Sequence, residues 1–218
     1  MKICLLGNNL TNLLLANILL KKKIDIDIIC QTSPLAVKNT IRTIAISNEN
    51  LNFLKKNIKG INNLGWPTEK IKIFSGKNQS SELFEFKNKN KNNFYLFKYS
   101  ELFQLLKKNK FLNFIKLKNY TFDSIKKKNY DLIINSEQNS QITKKFFQKK
   151  IEKNYNSFAH TAIISHEKTE NKIAVQIFTN NGPLAFLPLS NSQTSIVFSN
   201  KSSKLIDKKR FLEIINEY

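Results

Sequence analysis

The chain has 218 residues, of which 41% are hydrophobic, so it can bury a real core in one large domain or in one and a half small ones. Lys and Arg outnumber Asp and Glu by 36 to 16, which gives a net charge of +20, but no helix-turn-helix, zinc-finger spacing or aromatic nucleic-acid signature accompanies the charge. Because the lysines are scattered in short runs between Asn and Ile, the pattern favours biased residue usage over a polyanion site, and no specific nucleic-acid partner is expected.

The beginning of the chain predicts a β-α-β unit. Residues 2–6 form a short apolar run that ends at Gly7, residues 10–20 repeat apolar side chains over the length of a helix, and residues 24–30 alternate as a strand. A strand that begins two residues into the chain, turns at a glycine and enters an apolar helix is typical of a doubly wound dinucleotide-binding domain.

The turn of this unit has lost most of its expected glycines. A G-x-G-x-x-G turn lets a diphosphate approach the backbone N–H groups at the start of the helix, but here the three positions are Gly7, Asn9 and Asn12. Asn tolerates a positive φ better than most residues, so Asn9 is expected to keep the turn, although its side chain occupies phosphate space. Cys30 or Gln31 stands where an acidic residue would bind ribose hydroxyls. A purely structural β-α-β and a working cofactor site both remain open.

The two cysteines, Cys4 and Cys30, fall on the two predicted parallel strands. Neither has a metal-ligand partner at a useful spacing, so both are expected to be buried thiols in a reducing compartment, with no metal site. The apolar residues 10–20 are too few to span a bilayer and do not follow a basic leader region. A cytoplasmic protein is therefore expected.

The remainder of the chain predicts a few helices and many strands. Ser47 is a predicted helix N-cap, residues 99–108 predict an amphipathic helix, and residues 66–67 predict a turn. Strands and turns are otherwise predicted as follows: a turn over 32–35, an extended piece over 40–47, strands over 71–74, 83–86, 115–117, 121–125 and 131–134, and an antiparallel sheet over 158–199.

Residues 176–189 read Q-I-F-T-N-N-G-P-L-A-F-L-P-L. This stretch resembles the phrase Q-x-F-x-x-x-G-P-x-A-x-L-P-L of the flavin-dependent aromatic hydroxylases of ubiquinone biosynthesis. The β-α-β start is similar to their FAD-binding start, and residues 42–47, R-T-I-A-I-S, resemble their R-x-x-A-L-S segment. Residues 130–143 lie where that family has a strand followed by A-D-G-x-x-S-x-x-R, so the resemblance covers nearly all of the chain in register.

The resemblance implies a set of cofactor-binding residues. It places Gly7, and with it Asn9 and Asn12, under the FAD diphosphate, and it brings Arg42 towards the flavin. It also implies that Glu137 keeps the acid of the family's D-G pair, whose glycine is lost.

The resemblance further implies a substrate-pocket wall formed by Phe178, Gly182 and Pro183. Gly182 and Pro183 carry little side-chain bulk, so a flat ring could approach the backbone there. The alternative is that these two residues make a plain hairpin turn followed by an ordinary strand.

The implied fold class is α/β, with a Rossmann-like FAD-binding parallel sheet and an antiparallel substrate-domain sheet. The first is expected over residues 1–70 and 98–157, the second over 71–97 and 158–204, with a terminal helix over 205–218. The implied activity is that of an FAD-dependent monooxygenase that uses NAD(P)H to hydroxylate an aromatic ring of a ubiquinone precursor, with no side chain required as a nucleophile.

The family's G-D-A-A-H segment is not present in the sequence, so a truncated or split enzyme is expected, with the C-terminal half or other quinone-biosynthesis proteins as partners. Peripheral contact with the inner membrane is also expected. Two other hypotheses stay open. One is a non-catalytic relative that serves as a binding or scaffolding subunit of a quinone-synthesis assembly. The other is an unrelated basic module that touches anionic lipid or RNA.

Overall fold

The structure is a computed structural model that describes residues 1–31, 40–76, 81–89, 91–117, 120–149, 151–202 and 205–218. The turn predicted over residues 32–35 lies outside these ranges. The strands are β1 Lys2–Leu6, β2 Asp25–Cys30, β3 Thr43–Ser47, β4 Trp66–Thr68, β5 Lys70–Ser75, β6 Ser81–Lys87, β7 Phe94–Lys98, β8 Asn113–Lys116, β9 Leu132–Asn135, β10 Ser157–Ser165, β11 Ile173–Thr179, β12 Gly182–Ser190 and β13 Gln193–Lys201. The helices are α1 Leu10–Leu20, α2 Asn48–Asn57, α3 Tyr99–Lys107, α4 Phe122–Lys126, α5 Gln141–Phe146 and α6 Lys208–Asn216.

The chain divides into two compact units. Unit 1 contains Met1–Thr40, Lys55–Ile61 and Ser100–Glu152, and unit 2 contains Ile41–Leu54, Asn62–Tyr99 and Lys153–Tyr218.

Unit 1 is built on a parallel sheet with the strand order β8-β2-β1-β9. Ile3 of β1 pairs with Ile26 of β2 on one side and with Leu132 of β9 on the other, which confirms the predicted parallel pairing. Most residues of β1 and β2 are buried, as expected for parallel strands with both faces covered, and α1 packs against both. Both cysteines are buried free thiols, and burial raises the pKa of the Cys4 thiol to about 12.

Unit 2 contains two further sheets. Strands β3, β7 and β4 form an antiparallel sheet in that order, and a six-stranded sheet runs β10-β13-β12-β11-β5-β6. Every pair in the larger sheet is antiparallel except β5 with β11. Helix α6 covers one face of this sheet through Phe211, Ile214 and Ile215, which pack on Leu184 and Phe198. The predicted antiparallel sheet is confirmed, and it is separate from the parallel one.

Two local predictions are wrong. Residues 121–125, predicted as a strand, begin the helix α4, because Thr121 and Ser124 form a capping box in which each side chain accepts the other's backbone N–H. The predicted turn at Trp66 and Pro67 is strand β4, which pairs with β7. Pro67 is tolerated there because β4 is an edge strand, where a missing N–H leaves no ladder bond unmade.

No helix among the described residues combines the length and the apolar character that a bilayer span requires.

Candidate functional site

The candidate site of unit 1 is the turn between β1 and α1, at the carboxyl edge of the parallel sheet. Gly7 has a φ of +108°, which favours glycine, and its N–H donates to the carbonyl of Ile29 at 2.9 Å. A Cβ at this position would lie 2.9 Å from Ser136 Oγ and 2.9 Å from Glu137 Cγ. Glycine is therefore required here both for the backbone conformation and for space.

Asn9 caps the helix that follows. Its Oδ1 accepts the backbone N–H of Asn12 at 3.1 Å, and its Nδ2 donates to Ser136 Oγ at 2.6 Å. Its φ is −134°, an ordinary extended value, so the expectation that Asn9 keeps the turn through a positive φ is wrong. The positive φ falls on Gly7, and Asn9 instead satisfies the start of α1 from within the chain.

Asn12 ties the helix to the end of β1. Its side chain is 1% exposed, and its Nδ2 donates to the carbonyls of Leu6 at 2.9 Å and Gly7 at 2.8 Å. Because those two bonds fix the orientation of the amide, Oδ1 faces the other way, and it is buried with no hydrogen-bond partner among the described residues. Asn12, which stands at the position of the third glycine, thus holds the turn in place through its side-chain amide.

Glu137 also lies at this turn, next to Gly7. Its carboxylate accepts a hydrogen bond from the Tyr120 hydroxyl, and burial together with this bond raises the pKa of Tyr120. Ser140, which is buried, caps α5 by accepting the N–H of Thr143 at 3.1 Å. The segment that follows β9 is therefore anchored by its own polar side chains.

Two residues of this site, Ser136 and Tyr120, were not identified from the sequence. Ser136 donates to the carbonyl of Leu6 at 2.9 Å, although the two residues are 130 positions apart. The available signal was the place of Ser136 directly after a buried strand, since neighbouring parallel strands bring their carboxyl ends to the same edge. Tyr120 follows no such pattern.

As its side chains lie, the turn does not fit the diphosphate of FAD. A diphosphate offers acceptor oxygens and needs free N–H groups at the start of the helix, but the N–H of Asn12 is already bonded to Asn9. The unpartnered Oδ1 of Asn12 calls for a donor, which a diphosphate does not supply. The carboxylate of Glu137 adds a like charge beside Gly7.

The predicted substrate residues lie in unit 2. Phe178 and Pro183 pair directly across β11 and β12, so their side chains share one face of the sheet, and both are exposed. The hairpin turn is formed by residues 180–181, and Gly182 is the first residue of β12. Gly182 has a φ of +128°, and a Cβ there would lie 1.9 Å from the carbonyl oxygen of Ser199. The space left by its missing side chain is occupied by β13, so the argument that it admits a flat ring is wrong, while the pocket assignment stays a prediction.

Arg42 also belongs to unit 2. Its guanidinium carbon lies 5.1 Å from the centroid of the Tyr99 ring, and its carbonyl accepts the N–H of Tyr99 at 2.9 Å. The structure thus gathers Gly7, Asn9, Asn12 and Glu137 around one turn in unit 1, and it places the other predicted site residues in unit 2. The approach of Arg42 to a flavin stays a prediction. No cluster of His, Cys, Asp and Glu suited to a metal ion occurs within the described ranges.

No family model matches the sequence, and no curated protein matches it. Solved structures do match. HpxO from Klebsiella pneumoniae, as a variant complexed with FAD, aligns with 99% of this chain and 61% of its own at a TM-score of 0.72 and 12% identity. HpxO complexed with FAD and uric acid aligns with 99% of this chain and 60% of its own at a TM-score of 0.71 and 12% identity.

A third structure, 2,6-dihydroxypyridine-3-hydroxylase from Arthrobacter nicotinovorans, aligns with 91% of this chain and 55% of its own at a TM-score of 0.63 and 12% identity. The chain therefore spans less than two thirds of the length of the chains in these three structures. Its fold, a parallel sheet combined with antiparallel sheets, is similar to the folds of HpxO and of this hydroxylase.

Proposed function

We propose that the chain is the whole or a part of an FAD-dependent monooxygenase that hydroxylates an aromatic ring of a ubiquinone precursor, with NAD(P)H as the reductant. The observation that carries the proposal is the fold, in which a parallel sheet that begins with a β-α-β unit is combined with antiparallel sheets, as in the FAD complex of HpxO. The side chains of the Gly7 turn do not contribute to this support. In α/β sheets of this kind ligands bind at the carboxyl ends of the strands.

The substrate class rests on two supports. The resemblance of residues 176–189 to the ubiquinone hydroxylases supports a quinone precursor. Two structural neighbours take aromatic ring compounds: HpxO is complexed with uric acid, and the other is named as a hydroxylase of 2,6-dihydroxypyridine. Phe178 and Pro183, side by side on an exposed sheet face, are the groups of this chain proposed to contact the ring.

FAD, when bound, would supply the redox chemistry. The chain by itself is expected to hold it weakly, because Asn9 and Asn12 fill the turn and Cys30 ends the strand where a ribose-binding carboxylate is expected. Each lost charge-assisted hydrogen bond removes about 1.5–3 kcal/mol, so two such losses weaken binding by roughly two to four decades.

A second candidate function is that of a non-catalytic relative, which keeps the fold as a binding or scaffolding subunit in quinone biosynthesis. The self-capped start of α1 favours it, because the donor groups that would hold a diphosphate already bond within the chain.

Flavin binding is measured first, because both candidates predict weak binding by this chain alone and only a sample with bound FAD can be tested for activity. The 218-residue chain is purified, its absorbance is recorded in the flavin region, and FAD is then titrated while protein fluorescence is measured. We expect a colourless protein and weak binding. Asn9→Gly together with Asn12→Gly should tighten binding only when a polypeptide carrying a G-D-A-A-H segment is also added, and Asn52→Gly, an exposed position in α2, serves as the control.

The activity test follows from this titration. A sample with FAD bound is mixed with NAD(P)H and a ubiquinone precursor, and the hydroxylated product is measured. Product formation supports the monooxygenase, whereas saturating FAD without product supports the non-catalytic relative. Stoichiometric flavin on the purified chain would overturn the expectation of weak binding.

A further inference from the structure

A cleft in unit 1, which we call the α1-α3 cleft, lies where three helices end. Its volume of about 500 Å³ is in the range of small-molecule sites, and its lining residues come from the ends of α1 and α3 and from the segment that ends α2. All of them belong to unit 1. The described residues that line the cleft include Lys21, Lys59 and Lys108 and no Asp or Glu, so the cleft favours an anion.

Two of the three lysines are not used by the fold. Lys21 Nζ donates to the carbonyl of Lys56 at 3.2 Å and so satisfies a backbone group at the end of α2. The side chains of Lys59 and Lys108 are exposed and have neither a hydrogen bond nor an ion pair with a described residue. Glu101, the one acidic residue of α3, is in the first turn of that helix and does not line the cleft. The charges of Lys59 and Lys108 are therefore open to a ligand.

Apolar side chains form the second half of the site. Leu20, Ile58 and Leu105, one from each of the three segments, line the cleft together with Phe111. Phe111 is 70% exposed, and Lys110 Nζ lies 5.4 Å from the centroid of its ring, which adds positive charge there. An exposed aromatic ring beside cations can stack on a flat ring of an anionic ligand. The cleft thus fits an anion that also carries a flat ring.

Hydrogen bonds hold the walls of the cleft together. Asn17 of α1 donates through Nδ2 to the carbonyl of Leu106 at 2.9 Å, and its Oδ1 accepts a bond from Nδ2 of Asn109 at 3.0 Å. The Oδ1 of Asn109 accepts the backbone N–H of Phe111 at 3.1 Å. Because these bonds tie the turn that carries Phe111 to α1 and α3 before a ligand arrives, less conformational entropy is lost on binding.

We propose that the α1-α3 cleft binds a nucleoside phosphate, with the phosphates on Lys59 and Lys108 and the base stacked on Phe111. Inorganic polyphosphate has no ring for Phe111. A single strand of RNA needs a groove that follows several nucleotides, whereas this cleft has the volume of a small-molecule site. The Gly7 turn is not among the described residues that line the cleft, so the proposal does not depend on flavin binding or on monooxygenase activity.

Titration calorimetry of the full chain tests the proposal. ATP, tripolyphosphate and adenosine are titrated separately and without FAD, so that charge and ring are measured together and one at a time. We expect ATP to bind at least tenfold more tightly than either part. Lys59→Gln with Lys108→Gln should weaken ATP binding about 25-fold, at roughly fivefold for each lysine, and Phe111→Ala should weaken it about tenfold.

Matched variants separate the cleft from the general basic charge. Lys126→Gln with Lys127→Gln removes the same charge from exposed positions of unit 1, and Phe147→Ala removes a ring that is 63% exposed. None of these three residues lines the α1-α3 cleft, so both changes should leave ATP binding nearly as it is. Phe111→Ala should keep the binding of tripolyphosphate, because it removes only the ring, whereas the lysine pair of the cleft should lose it.

Any of the following results would overturn the proposal. Equal losses from the two lysine pairs would assign ATP binding to the whole basic surface, and tripolyphosphate binding as tight as that of ATP would leave the ring without a role. A larger loss in Asn9→Gly with Asn12→Gly than in the cleft variants would place the nucleotide at the Gly7 turn. Absence of ATP binding, or a short RNA that binds more tightly than ATP and is lost in the cleft variants, would exclude a nucleoside phosphate as the occupant.

Discussion

The turn at Gly7 in unit 1 and the start of β12 at Gly182 in unit 2 use glycine for the same two reasons but in different surroundings. Both residues have a φ in the range that favours glycine, +108° and +128°. Around Gly7 the atoms that a Cβ would meet belong to the side chains of Ser136, Glu137 and Asn9, whereas at Gly182 the nearest atom is the backbone oxygen of Ser199.

The difference shows which region can adjust. Side chains change rotamer, so the surroundings of Gly7 can open for a ligand. The backbone of β13 is held by pairing with β10 and β12, so the surroundings of Gly182 cannot open without breaking the sheet. The stretch of sequence with the most specific resemblance to the ubiquinone hydroxylases thus contains a glycine that the packing of its own sheet requires.

The strongest test of this comparison is Gly182→Ala. A Cβ 1.9 Å from the Ser199 oxygen, added to an unfavourable φ, should reduce the free energy of unfolding by about 3 kcal/mol or more, measured by urea denaturation. Gly60→Ala is the control, since Gly60 also has a positive φ but its nearest contact would be Leu105 Cδ1 at 3.5 Å, and it should lose only about 1 kcal/mol. Equal losses at both positions would show that φ alone matters.

Gly7→Ala should have a smaller effect than Gly182→Ala, about 2 kcal/mol, because Ser136 and Glu137 can move aside. Combining it with Ser136→Ala removes one of the two contacts shorter than 3.0 Å, so the double variant should lose less stability than the sum of the single changes. Urea denaturation of all three variants gives the coupling free energy. If the losses in free energy of unfolding of the two single variants add up to that of the double variant, the Ser136 side chain does not obstruct a Cβ at position 7.

Asp27, a buried carboxylate in β2, stabilises unit 1 in a way that depends on pH. Burial raises the pKa of its carboxyl, but hydrogen bonds from Tyr130, Lys2 and Asn113 outweigh burial and leave the pKa below the ordinary value of 3.8. Its stabilisation is therefore present above pH 3.8 and is lost as the pH falls through the lowered pKa of the folded state.

Asp27→Asn should cost about 1.5 kcal/mol at neutral pH, because it removes charge-assisted hydrogen bonds. The free energy of unfolding of both chains is measured from neutral pH down to below pH 3.8. The difference between the wild-type chain and the variant should become smaller as the pH falls. Asp25→Asn, at an exposed position of the same strand, should show no such trend. If the difference in free energy of unfolding does not change with pH, the charged form of Asp27 is not the source of the stabilisation.

Asn9→Ala should have the smallest effect, about 1 kcal/mol, because it removes one helix cap at a turn that can adjust. Thermal unfolding measures it, and Thr121→Ala, which removes the cap of α4 in the same unit, is the matched control. The Asn9 change should exceed the control slightly, since it also breaks the bond to Ser136. A more stable Asn9→Ala chain would contradict the role of Asn9 as a cap.

Prediction from sequence succeeded where the signal was local and periodic. The predicted helix over residues 10–20 is observed with the same bounds, because apolar residues recur through the whole segment after a strand and a capping Asn. Residues 121–125 were misjudged because five residues with two apolar side chains, Phe122 and Ile125, are too few for their spacing to separate a strand from one helical turn, and the capping box decides between them. Helix α5 was not predicted, because its six mostly polar residues after Ser140 are too few to show a helical repeat of apolar side chains.

The sequence by itself determined the α/β class, the parallel β-α-β start, the later antiparallel strands and the burial of Cys4 and Cys30, because these follow from the spacing of apolar residues along short segments. Only the tertiary structure decided what the asparagines of the turn do, since the Asn9 bond to Ser136 joins residues 127 positions apart. It likewise decided that β13 fills the space beside Gly182. Contacts between distant segments depend on strand order and register, which local patterns do not encode.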